Sequence, residues 1–275
     1  MTILNLTTKS NGLFLADTGR GIARYDIVNH PEIEKITKNM REFYWFPDEI
    51  DMNSDKVQFP KLSDAEKFIY TKNLQRQILL DTEQGRGPIS VFLPFCTDST
   101  LENAIGVWGN TEMVHSESYT HIIRALYHDP SVVYEEIPNI KPIADCAKSI
   151  SLAYDNLSDC INKVNEYGIQ SVKEKIYLAL ISANALEAIR FYVSFACNFS
   201  FKERNLLDSS YKIMKLICRD ENVHLVLVNK IINILNKTDP EFKEIILDNR
   251  SKAIDIFNEA AEQEKEWASY LFSEG

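Results

Sequence analysis

Glycine and proline are scarce in the 275-residue chain, nine of each, and long stretches separate them. A turn-rich β architecture needs more of both, so the scarcity favours helices. Cysteine is sparse too: Cys96, Cys146, Cys160, Cys197 and Cys218 form no C-x-x-C or other metal spacing. Odd in number, they read as reduced thiols rather than a disulfide framework. Positive charge is in deficit. With 30 Lys and Arg against 40 Asp and Glu the net charge is −10, which argues against nucleic acid as the main partner. No uninterrupted apolar run reaches the roughly 18 residues of a membrane span, and MTILNLTTKSNG lacks the basic-then-apolar order of a secretory leader. The expectation is a cytoplasmic protein without a membrane partner.

What is present is an ordinary globular composition, 45% hydrophobic and 25% charged, with material for a sizeable core. We read 1–275 as a single helical domain with an irregular segment over 1–30. A short helix is expected within 33–46, stopping before Pro47. Ser63 and Glu66 form a capping box that opens a helix to about residue 84, where Gly85-Arg-Gly-Pro88 ends it. Long helical patterns follow over about 101–127, 140–167, 172–198 and 206–236. Asp239 as cap and Pro240 at the first helical position start a last helix reaching about residue 271. No strand-like alternation persists. The fold class is all-α, a long-helix bundle.

One stretch, Asn110-Thr-Glu-Met-Val-His-Ser-Glu-Ser-Tyr-Thr-His-Ile-Ile-Arg124, is polar yet helical. At about 100° per residue, Glu112, His115 and Tyr119 share one face while Glu117 and His121 point away. Glu112-Met-Val-His115 is a Glu-x-x-His pair, and Glu221-Asn-Val-His224 is a second. Each sets a carboxylate and an imidazole one turn apart, within reach of one metal-sized point. Alone such a pair is a weak signal. Two are preceded by acids at similar distances, Asp81 and Glu187, each on its own predicted helix. Four carboxylates and two histidines from four helices form the ligand set of a dinuclear site in a bundle core. That donor set suits iron or manganese better than zinc or copper. Glu187 sits among apolar residues, with Phe191 and Phe195 on its face at +4 and +8. A buried carboxylate there needs a partner, either a cation or a salt bridge such as Arg190. Tyr119 reads as a core tyrosine or as a redox-active phenol, and spacing does not choose between them.

Four runs together, NALEAIRFYVSFACNF, Ile217-Cys-Arg-Asp-Glu-Asn-Val-His224, Leu79-Leu-Asp-Thr-Glu-Gln-Gly-Arg86 and the stretch above, resemble the small, radical-generating subunit of class I ribonucleotide reductase. The likeness covers roughly 21–275. It implies a ferritin-like bundle of the di-iron carboxylate type, a homodimer, and two iron ions, with manganese as the other metal. It implies that Asp81, Glu112 and His115 bind one metal and Glu187, Glu221 and His224 the other. Tyr119 would carry a stable radical formed when the reduced metals meet dioxygen, shielded by Phe191, Phe195 and Ile217. Trp108 matches a tryptophan that orients a ligand carboxylate. Trp45, on residues alone a packing aromatic, matches a surface-side tryptophan that joins Asp220 and His115 in a relay toward the large subunit. Cys218 beside Ile217 departs from what a radical pocket calls for. Members of that family also continue past the position of Gly275 through further helix and a docking tail, so the expectation is a shortened or split chain. The competing readings are a ferritin-like ferroxidase, a dimetal oxygenase, and a helical interaction module whose acids are salt-bridged.

Overall fold

Capping chemistry fixes where the long helices begin. The computed structural model describes residues 4–9, 12–17 and 19–274. Among them lie the helices α1 (Pro31–Glu42), α2 (Asn53–Gln58), α3 (Asp64–Gly87), α4 (Ser99–Leu126), α5 (Ser131–Glu136), α6 (Lys141–Ser158) and α7 (Val164–Tyr167). There follow α8 (Ile169–Ala185), α9 (Tyr192–Glu203), α10 (Asp208–Thr238), α11 (Pro240–Asp248) and α12 (Arg250–Glu274). The expected capping box opens α3: Ser63 Oγ accepts the Glu66 amide and the Glu66 carboxylate accepts the Ser63 amide. Asp98 Oδ1 caps α4 through the amides of Thr100 and Leu101, and Asp239 caps α11 with Pro240 at its first position.

The start of α10 is capped from a distance. Leu207 precedes it in the left-handed region (φ 51°), a conformation uncommon for a side chain with a Cβ. Its amides are met by buried Asp55 of α2, which accepts the Ser209 amide at 3.0 Å, the Ser210 amide at 2.7 Å and the Ser210 hydroxyl at 2.7 Å. An otherwise unsatisfied helix end is thereby closed by another segment.

Several expected boundaries move. α1 ends at Glu42 with Phe43 as its C-cap, and Phe46 is extended ahead of Pro47 (φ −122°, ψ 142°), as a residue before proline prefers. α3 runs through Gly85 to Gly87 and passes into a π-helical turn, Pro88–Phe92. Gly87 is there for space: a Cβ would lie 2.3 Å from Tyr154 Cε2. The pattern over 140–167 divides into α6 and α7. The pattern over 172–198 is interrupted by a second π turn, Leu186–Arg190. The final segment divides at Asn249 into α11 and α12.

α3 packs along α4, α10 lies against α8, α9 and α4, and α1 covers α4 and α10; α12 closes the bundle over α3, α6 and α8. Of the expected irregular segment, residues 1–3, 10, 11 and 18 lie outside the described residues, as does Gly275. The remainder before residue 31 holds no helix, only an isolated bridge between Phe14 and Cys96. The run Ile169–Glu203 is long and apolar enough to cross a membrane, but 72% of its apolar window is buried inside the protein, which is the character of a core helix.

Candidate metal centre

Four helical segments converge where α3, α4, α10 and the π turn after α8 meet. Asp81 comes from α3, Glu112 and His115 from α4, Glu221 and His224 from α10, and Glu187 from the π turn. All six are buried, at 0–1% exposure. Ligand-type atoms of Asp81, Glu112, His115 and Glu221 lie within 4.8 Å of one another, and so do those of Glu112, Glu187, Glu221 and His224. Glu112 and Glu221 therefore belong to both groups.

The geometry is nearly symmetric about these two acids. His115 Nδ1 lies 3.1 Å from Glu112 Oε2, 3.1 Å from Glu221 Oε1 and 3.9 Å from Asp81 Oδ2. His224 Nδ1 lies 3.0 Å from Glu112 Oε1, 3.1 Å from Glu221 Oε2 and 3.7 Å from Glu187 Oε2. Each imidazole thus turns its Nδ1 toward the shared acids, with ring centroids 6.0 Å apart. Each outlying acid is held at one oxygen by a neutral donor. The Tyr119 hydroxyl donates to Asp81 Oδ2 at 2.6 Å, and the Gln84 amide donates to Glu187 Oε1 at 2.5 Å. Their other oxygens, Asp81 Oδ1 and Glu187 Oε2, are buried without a hydrogen-bond partner. Buried acceptors of this kind carry the full cost of desolvation unless something binds them.

Electrostatics point the same way. Burial, reinforced by the neighbouring carboxylates Glu221 and Glu112, pushes the carboxyls of Asp81 and Glu187 well above their usual range. Burial would lower the two imidazoles, but the surrounding acids outweigh it and raise both. Burial also opposes ionisation of Glu221, yet the Glu187 carboxyl beside it and the two imidazoles hold its carboxyl well below the usual range. Four carboxylates with two neutral imidazoles carry a formal charge of −4, which two divalent cations neutralise. Hard oxygen donors with two nitrogens fit iron or manganese.

Around this cluster the sequence-based site residues fall as follows. Trp108 Nε1 donates to Glu112 Oε1 at 2.9 Å. Trp45 Nε1 donates to Asp220 Oδ2 at 2.8 Å, and that same oxygen lies 3.3 Å from His115 Nε2, giving an unbroken line from indole to imidazole. Trp45 is not on the surface: it is buried, flanked by exposed Tyr44 and Phe46. Tyr119, Phe191, Phe195 and Ile217 are all buried. Phe191 and Phe195 stack on each other with centroids 5.6 Å apart. Their shared face with Glu187 does not follow from helical periodicity, because the π turn shifts the phase of α9. Arg190 makes no pair with Glu187; it donates to Gln263 and Ser149. Cys218 is half-buried and lines a surface cleft with Phe199, Tyr211, Leu216 and Asn222. Glu117 is exposed, and His121 turns to the Ile50 carbonyl at 3.0 Å.

Three residues were not legible as part of the site. Gln84 and Tyr154, whose hydroxyl donates to Gln84 Oε1, are reached only through tertiary contact. Arg219 clasps Asp220 at 2.9 Å, donates to the Phe43 carbonyl at 2.5 Å and lies over the Phe43 ring. Its position one residue before Asp220 was the available signal.

Known proteins with this arrangement are found by sequence and by structure. The family model "Ribonucleotide reductase, small chain" matches residues 24–275. The ribonucleoside-diphosphate reductase subunit beta of Buchnera aphidicola subsp. Schizaphis graminum is 44% identical over 270 residues, covering 92% of this chain and 72% of its own length. The fold is similar to the ribonucleotide reductase R2 subunit from Clostridium botulinum, with TM-score 0.84 at 20% identity over 100% of this chain and 83% of the other. It is also similar to the dimanganese(II) NrdF of Streptococcus sanguinis, with TM-score 0.76 at 20% identity over 91% and 82%. With an all-α, ferritin-like bundle and a carboxylate–histidine cluster at its centre, this chain belongs to the ribonucleotide reductase small-chain family.

Proposed function

We propose that this ribonucleotide reductase small subunit holds a dinuclear metal centre on Asp81, Glu112, His115, Glu187, Glu221 and His224, and generates a radical on Tyr119 for the large subunit. The observation that carries the reading is the pair of four-residue groups sharing Glu112 and Glu221. Such sharing is what two metals bridged by carboxylates require. Iron is the metal we assign; manganese fits the same donors.

Held by these six residues and reduced, two metals would supply, with dioxygen, the oxidising power to take an electron from Tyr119. The chain's own groups do the rest. Asp81 Oδ2, 2.6 Å from the phenol oxygen, is placed to accept the phenolic proton, and burial with the Asp81 charge holds the unoxidised phenol protonated. Phe191, Phe195 and Ile217 are read as the dry wall that keeps water and reductants from the ring. The line Trp45–Asp220–His115 carries the oxidising equivalent toward the large subunit, where ribonucleotides become deoxyribonucleotides. Asp220 fixes the outer nitrogen of His115, and hence the tautomer that leaves Nδ1 free for metal. A homodimer, the cytoplasm as compartment, and no dealings with membrane or nucleic acid belong to the same reading.

Metal counting tests it. The parent chain is expected to take up two ferrous ions when loaded anaerobically. Glu112→Ala and Glu221→Ala each remove a ligand from both sites and should leave fewer than one tightly bound ion. Undiminished uptake by both variants would remove the bridging assignment.

A further inference from the structure

The segment Gln84-Gly-Arg-Gly87 reads in sequence as a helix end, yet α3 continues through it, its first residue touching the site and its last lying against Tyr154. Gln84 Nε2 donates to Glu187 Oε1 at 2.5 Å, and the Tyr154 hydroxyl donates to Gln84 Oε1. Tyr154 comes from α6, is buried, and packs edge-on against Phe92 at 6.2 Å. Its ring passes directly over Gly87, where a Cβ would come within 2.3–2.8 Å of three ring carbons.

A primary amide can turn either end toward a neighbour, and a carboxylate accepts only from the NH₂ end. A phenol that donates to the carbonyl end settles the choice. We infer that Gln84, locked by Tyr154 and seated by Gly87, is the positioning arm that turns Glu187 Oε2 toward the second metal. The arm holds Oε1 and leaves Oε2 buried without a hydrogen-bond partner. On the other half the Tyr119 hydroxyl holds Asp81 at Oδ2, the oxygen that also lies 3.9 Å from His115 Nδ1. The two halves thus differ: an oxidisable phenol holds the cluster-side oxygen of Asp81, whereas an amide holds the far oxygen of Glu187. Gln84 keeps the second phenol, Tyr154, two hydrogen bonds away from Glu187. Arg190, the charged neighbour of Glu187 in sequence, is engaged with Gln263 and Ser149 and leaves this task to the neutral amide.

The inference rests on the two-metal reading and is tested with manganous ion alone, which is quiet in air. Free ion is followed by electron paramagnetic resonance during titration of the full chain. The parent should bind two ions; Gln84→Met, of similar volume but without the donor, should keep the first at parental affinity and bind the second 10- to 100-fold more weakly, the range found when groups behind metal ligands are removed. Tyr154→Phe and Gly87→Ala should weaken the same ion by a smaller factor, with helix content by circular dichroism unchanged. Two ions bound as tightly by Gln84→Met and Tyr154→Phe as by the parent would overturn the arm. If Gln84→Met does not fold, Tyr154→Phe decides alone: a weakened second ion supports the arm, and parental affinity overturns it. A parent that binds fewer than two ions would instead strike the dinuclear centre itself.

Discussion

His115 and His224 offer the same nitrogen to the cluster but differ behind it. His115 Nε2 meets Asp220, whereas His224 Nε2 is buried without a partner. Only one imidazole is therefore wired to the outside, through Asp220 and Trp45. Asp220→Asn or Trp45→Phe should leave radical formation largely intact and cut nucleotide reduction with the large subunit on the order of 100-fold, as small misplacements in a reacting line do. Paired measurements of radical content and turnover check this, and an unchanged turnover in both would break the relay. Titration gives a second expectation at this scale. Asp81, Glu187, His115 and His224 are all raised in the folded chain. A raised group binds more protons folded than unfolded, so its contribution is present at low pH and lost as pH rises through the folded value. Glu221 and Asp220, both lowered, act in the opposite sense, but their contribution changes only below the free carboxyl value of about 4. The metal-free protein should thus lose stability as pH rises above about 4, where free carboxyls ionise, and metal uptake should release protons. Chemical denaturation of metal-free and loaded protein across that range, with a pH indicator during loading, measures both.

The ligands were readable because Glu-x-x-His is a local pattern, fixed by the pitch of α4 and α10. What elements do to one another was not. Asp55 caps α10 across 154 residues, and nothing in the sequence near Asp55 announces it. Asp55→Ala should cost about 2 kcal/mol, a lost cap with buried amides left unpaired, read as a lower denaturation midpoint at constant slope. The π turn at Leu186–Arg190 was equally hidden, because i→i+5 hydrogen bonding leaves no compositional mark. It carries Glu187 into the site and shifts the phase of α9, so the face-sharing of Phe191 and Phe195 with Glu187 could not be taken from a continuous 3.6-residue repeat. Gly85 and Gly87 misled for a related reason: as glycines they resemble helix stops, but the Tyr154 ring explains why position 87 is bare.

For the whole molecule, an all-α bundle followed from the scarcity of glycine and proline and from long helical periodicity, and the charge of −10 excluded little by itself. The resemblance supplied the pairing of Tyr119 with the cluster, and the bond to Asp81 gives that pairing a geometry. Without the tertiary structure Tyr119 stays divided between packing and redox roles, since both keep a tyrosine buried. The measurement that tests the central claim most directly is electron paramagnetic resonance after ferrous loading and exposure to air. The parent is expected to show a tyrosyl radical, and Tyr119→Phe is expected to bind iron and show none. Iron uptake and oxidation by the parent without any radical would contradict the account and leave the cluster as a ferroxidase site.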